Sequence, residues 1–203
     1  MKKSKGKAKN DIKPLASLYE LFTGVNSKDP RTKFGSAKEL RILSERNPAL
    51  LYSEWVFFEN LLDSENKILK WNAMDIIANL TKADSCNKFN ALFKKFFGYL
   101  YEGSLITAGH VVDNSCKIAI SKPELKDEIT EELLNVEKIP LPTEECRNIL
   151  IGKTISAFQT YCGKTADKKV VSFVKRHLHN PRRATKTKAE KFLKELEKRS
   201  AKE

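Results

Sequence analysis

A helical apolar pattern that returns every 37 to 40 residues constrains this 203-residue chain more than any other feature. Small or apolar residues recur at helical spacing as Ala37, Leu40, Leu43, then Met74, Ile77, Leu80, then Val112, Ser115, Ile118, then Gly152, Ile155, Phe158. A looser fifth copy reads Ala189, Phe192, Leu196. Residues three or four apart share one face of a helix, so each triplet marks one buried stripe. A fixed period of this length marks helix pairs that cannot bury their faces alone and stack on their neighbours. The expected fold class is therefore all-α, an α-solenoid of stacked antiparallel helix pairs, with nine to eleven helices and no sheet. A closed helical bundle, or two small bundles divided at Ile139-Pro140-Leu141-Pro142-Thr143, would use the same helices. The steady period favours stacking.

Punctuation along the chain sets the expected boundaries. Residues 1–10 are Lys-rich without an apolar anchor and read as disordered. The domain reading is a basic tail at 1–13, one solenoid domain at 14–198 and a short tail at 199–203. A first helix carries Leu15, Leu18, Tyr19 and Phe22, with Pro14 in its first turn and Gly24 as its stop. Asp29-Pro30 opens the next helix and Asn47-Pro48 closes it, since a residue before proline avoids helical geometry. Ser53 is read as the cap of a partner helix bearing Trp55, Val56, Phe58, Leu61 and Leu62. Further pairs are read over 68–100, 106–136 and 149–178, the last broken at Gly163. A final helix after Asn180-Pro181 is expected to turn Ala184, Ala189, Phe192 and Leu196 inward and cap the array.

The formal net charge of +12 sits at the two ends. Residues 1–13 carry +5 and residues 164–203 carry +9, while residues 14–163 carry −2. A protein that cradles DNA is expected to line its groove with cations instead. The best candidate for a nucleic-acid patch is the segment containing Lys175, Arg176, Arg182, Arg183, Lys186 and Lys188. It gains force only if those residues share one face.

Chemistry-bearing constellations are sparse. His177 and His179 are two residues apart, a spacing that points to different sides of a helix and suits joint metal ligation poorly. Cys86, Cys116, Cys146 and Cys162 contain no Cys-x-x-Cys pair and read as reduced, mostly buried small side chains. His110, Asp113 and Cys116 follow ordinary helix spacing, and no Gly-rich phosphate loop is present. Trp71 and Asp75 lie four apart on one helix, and Trp71 is expected to pack between repeats. No metal or cofactor is expected. The first residues carry no apolar run behind their charges, and no stretch approaches the ~18 apolar residues of a membrane span. A cytoplasmic protein with no membrane partner is the expectation.

The pattern resembles the HEAT and armadillo-like repeat families over roughly residues 29–198. The typical first helix of such a repeat starts near a proline and then shows a basic residue and small or aliphatic positions. Asp29-Pro30 before Lys33 and Ala37 fits that order, as do Lys70, Ala73, Met74 and Ile77, and Asn180-Pro181 with Arg182, Arg183, Ala184 and Ala189. Ser115 and Gly152 depart from it. The resemblance implies a non-catalytic binding or scaffold module that recognises a protein partner, with the row of second helices as its surface. The alternative it implies is a nucleic-acid-binding HEAT-like protein, including a relative of the DNA alkyl-base repair glycosylases, some of which pair aromatic and acidic residues as Trp71 and Asp75 would.

Overall fold

The stripes that repeat in the sequence become the contact faces of the folded chain. The computed structural model describes residues 15–162 and 167–200, with side chains over 18–162 and 167–198. Helices run α1 (Leu15–Val25), α2 (Pro30–Arg46), α3 (Pro48–Leu51), α4 (Trp55–Leu61), α5 (Lys67–Leu80), α6 (Lys88–Gly98), α7 (Leu105–Ser121), α8 (Lys126–Leu134), α9 (Glu144–Tyr161), α10 (Lys168–Arg176) and α11 (Arg183–Ser200). Among the described residues there is no strand. The expected tail at 1–13, Pro14, the break at Gly163 and residues 201–203 lie outside the described residues, and α11 continues past the expected boundary at 198.

Helix starts follow their caps. The Asp29 carboxylate accepts from the Thr32 amide at 2.8 Å and Pro30 fills the first turn of α2. Asn66, Ser104 and Thr143 cap α5, α7 and α9 through their side chains. Ser53 caps nothing, contrary to expectation. The chain turns helical at Pro48, directly after Asn47 ends α2, and reaches α4 through a 3-10 turn at Tyr52–Glu54.

Consecutive first helices pack side by side: α1 on α2, α2 on α5, α5 on α7, α7 on α9 and α9 on α11. The shorter helices α4, α8 and α10 lie against this row, α8 also meets α10, and α6 continues into a 3-10 turn at Tyr99–Tyr101 that packs on α7. Leu40, Met74, Ile77, Leu80, Val112, Ile118, Ile155 and Phe158 are all buried, so the register of four triplets holds, although Leu43 is only half-buried. The two departures from the aliphatic pattern have physical reasons. A methyl group at Gly152 would stand 2.6 Å from Thr185 Oγ1, so glycine lets α9 and α11 approach. Ser115, fully buried, returns its hydroxyl to the Val112 carbonyl at 2.7 Å and leaves no orphaned donor.

Three residues depart from the roles the sequence assigns them. Tyr19 is exposed, while Leu18 and Phe22 pack on the core. Gly24 lies inside α1 and does not stop it; a Cβ there would collide with Ser36 Oγ, so it serves close approach of α1 and α2. Ala184 is exposed and Thr185 is buried in its place, its hydroxyl donating to the Asn148 carbonyl at 2.7 Å. Ala189 and Phe192 do cover α9 as expected, with Leu196 partly buried.

Candidate functional site

Helical spacing leaves one stripe of each first helix facing water. On α7 the positions are Ile106, His110, Asp113, Lys117 and Ile120, and on α5 they begin Ile68, Asn72 and Asp75. Four of the exposed large apolar side chains fall on this face or at the turn leading into α7. They are Ile68 (44% exposed), Tyr101 (46%), Ile106 (56%) and Ile120 (60%). Among second-row elements, Leu50 and Val56 are the exposed aliphatic side chains.

Polar rungs cross this face between neighbouring first helices. Trp71 Nε1 donates to Thr107 Oγ1 at 3.1 Å, and its ring stacks on His110 at 5.7 Å with planes 10° apart. Asp75 Oδ1 meets His110 Nδ1 at 3.0 Å and accepts from Asn114 Nδ2 at 2.7 Å. Burial alone would raise the Asp75 pKa. The hydrogen bonds from His110 and Asn114, with the charges of His110 and Lys117, outweigh it and hold the carboxyl below its ordinary value. Lys117 in turn donates to Asn79, whose amide donates to Ser44 on α2. Farther along, Lys153 pairs with Asp113, and Lys188 Nζ donates to the Gly152 carbonyl at 3.0 Å.

Trp71 therefore joins α5 to α7, as the half-buried floor of a surface cluster. The His110, Asp113 and Cys116 constellation does not assemble: His110 turns to Asp75 and Asp113 to Lys153. His177 is buried edge-on against Phe173 while His179 is exposed, which separates the two imidazoles. Of the four cysteines only Cys162 is buried, Cys86 is exposed and the other two are intermediate, which corrects the expectation of mostly buried thiols.

The basic segment is placed at the end of α10 and the start of α11, and much of its charge is already engaged. Arg176 Nη2 reaches Glu137 at 2.7 Å and Arg182 Nε reaches Glu145 at 2.8 Å. Lys186 stands 3.9 Å from Glu190, and Lys188 is half-buried on the α9 backbone. Lys175 and Arg183 are exposed. Burial, and then the charges of Lys153 and Arg182, push the Lys188 pKa down against the opposing pull of Asp113.

A second polar cluster joins three segments inside the fold. Lys122 Nζ donates to the Asp84 carbonyl and to Asn87 Oδ1, each at 2.7 Å, and lies 3.2 Å from Asp84 Oδ2. Asp84 also accepts from Tyr52 Oη at 2.6 Å and from the amides of Lys88 and Phe89. Asn87 holds a left-handed φ of 54° to present its amide. Asp84 and Lys122 are buried at its centre, with Tyr52 half-buried and Asn87 exposed, and the cluster ties the three segments together.

No protein-family model matches the chain, and no curated protein matches it.

Proposed function

We propose that this chain is a non-catalytic binding module, a HEAT-like array of stacked helix pairs that recognises a protein partner through the exposed face of its first helices. The nearest-neighbour packing of α2, α5, α7, α9 and α11 supports the stacked reading. The observation that carries the choice of surface is the pair of exposed isoleucines, Ile68 and Ile106, each one turn before Trp71 or His110 on its helix, beside the Trp71–His110 stack. Apolar area left in water returns about 25 cal/mol per Å² when a partner covers it. Stacked aromatic rings held by hydrogen bonds give that partner a rigid platform. This moves the surface from the second helices, where the sequence placed it, to the first. Nucleic-acid binding is less well supported, because Arg176, Arg182 and Lys186 of the basic segment already stand beside carboxylates, which leaves Lys175, Arg183 and Lys188 of that segment for phosphates.

Selection of a random peptide-display library on the intact chain tests the proposal. The selected peptides should lose about tenfold or more in affinity for Ile68→Ser/Ile106→Ser, whose fold is preserved because both side chains are exposed. Selected peptides indifferent to that change, or duplex DNA bound more tightly than any peptide at ~0.15 M salt, would refute it.

A further inference from the structure

The rungs on the first-helix face form one transverse row whose chemistry changes from end to end. On α5, Trp71 stacks on His110 of α7. One turn along α7, Asp113 pairs with Lys153 of α9, and the carbonyl of the preceding Gly152 is held by Lys188 of α11. The Lys153 chain lies over Gly109, its Cε 3.4 Å from where a methyl group there would stand. The row thus crosses four helices without a break.

Its α5–α7 end is aromatic and aliphatic, with Ile68 and Ile106 beside the stack. The carboxylates there are occupied, Asp75 by His110 and Asn114 and Asp113 by Lys153. At the α9–α11 end, residues 144–153 and 182–190 hold six cations against three acids. Lys153 and Arg182 each have a carboxylate. Lys188 instead donates to a backbone carbonyl, half-buried, with Lys153 and Arg182 close enough to repel its charge. An ammonium so placed favours an incoming anion.

We propose that the partner segment is acidic as well as apolar, and lies across the first helices with its apolar side chains on the Trp71–His110 platform and a carboxylate on Lys188. This deepens the reading above and rests on it. The polarity follows from charge complementarity, since those α9 and α11 segments carry an excess of three positive charges, whereas α5 and α7 together hold three lysines against two aspartates. A segment laid the other way would leave its acids beside Asp75 and bury its apolar groups against ammonium ions. Lys188 acts here as a binding residue that fixes orientation, while the isoleucines supply the contact area.

The same peptide selection on the full-length chain provides the probe and separates the two claims. Enriched peptides should pair an apolar or aromatic anchor with Asp or Glu displaced to one side of it. Each should weaken about tenfold on Lys188→Glu and several-fold on Lys188→Gln, with less than about twofold change for Lys168→Glu on exposed α10. Unchanged circular dichroism and melting of the Lys188 variants guards against a folding artefact. Enriched peptides that need Ile68 and Ile106 but lack acids, or that ignore Lys188, would overturn this inference and leave the binding surface intact. Failure to enrich any peptide sensitive to the isoleucine change would overturn both.

Discussion

Lys122→Met is the sharpest perturbation of the fold, because it cuts a buried ion pair without making a large cavity. The ammonium has four oxygen neighbours, the Asp84 carbonyl and Asn87 Oδ1 at 2.7 Å, Asp84 Oδ2 at 3.2 Å and Glu124 Oε1 at 3.8 Å, and its side chain is 6% exposed. Breaking a buried pair by removing one partner costs about 3–5 kcal/mol. The lower end applies here. Asp84 keeps three donors, Tyr52 Oη at 2.6 Å, the Lys88 amide at 2.9 Å and the Phe89 amide at 3.0 Å, so its charge is not abandoned. Methionine also retains most of the packed stem. A loss of about 3 kcal/mol in urea unfolding is expected, or about 6–12 °C in Tm for a chain of this length. Asp84→Ala should cost more, because it strips the ammonium of its buried counter-charge and leaves the tyrosine hydroxyl and two amides without their acceptor. Burial would raise the Asp84 pKa, but the bonds from Tyr52, from the Phe89 and Lys88 amides and from Lys122 hold it below its ordinary value. The unfolded chain therefore takes up this proton first as pH falls. The contribution of Asp84 is complete above about pH 4 and is lost as pH drops through the lower folded value. A cost below about 1 kcal/mol for Lys122→Met, or Asp84→Ala milder than Lys122→Met, would refute the reasoning.

Three further outcomes follow from close contacts and burial. Gly152→Ala should destabilise by about 1–3 kcal/mol in urea unfolding, since its methyl meets Thr185 Oγ1 at 2.6 Å, whereas Gly35→Ala, with open space around it, should be neutral or stabilising. His177 has its pKa pushed down by burial and by the Arg176 charge, against the pull of Glu137. The unfolded state then binds more protons below about pH 6.5, so stability should fall as pH drops from there, and His177→Gln should flatten that slope in pH-dependent melting curves. Truncation at Asn180 removes α11 and bares the face of α9 that Ala189 and Phe192 cover, so it should lower Tm or cause aggregation measurable by light scattering.

What the sequence revealed and concealed divides along physical lines. The buried stripes were legible because Leu40, Met74, Ile77, Ile118, Ile155 and Phe158 obey a helix period that water enforces. Ser53 misled because a residue suited to capping gives no sign that Pro48 has already begun a helix. Ala184 and Thr185 exchanged roles because the Gly152 notch accepts a threonine whose hydroxyl can reach the Asn148 carbonyl. The basic segment lost much of its apparent freedom because Glu137 and Glu145 sit 39 and 37 residues before Arg176 and Arg182, one period of the apolar pattern away. The same signal could have found the surface cluster. Asp75 and His110 are 35 residues apart, Trp71 and Thr107 are 36 apart, and Asp113 and Lys153 are 40 apart. Polar residues spaced by the repeat period are rungs between neighbouring helices, a rule that helix-by-helix reading of one face overlooks.

The two tryptophans offer the most direct test of the proposed binding surface. Trp71 lies half-buried on the first-helix face with its indole N–H on Thr107, and Trp55 is buried at the start of α4 with its indole N–H on Glu59. Each gives one indole resonance in a proton–nitrogen correlation spectrum, and the chain holds only these two. Titrating a display-selected peptide into the labelled protein should shift or broaden the Trp71 indole signal and leave that of Trp55 in place. Movement of the Trp55 signal with Trp71 unchanged would put the binding surface on the second helices and contradict the account.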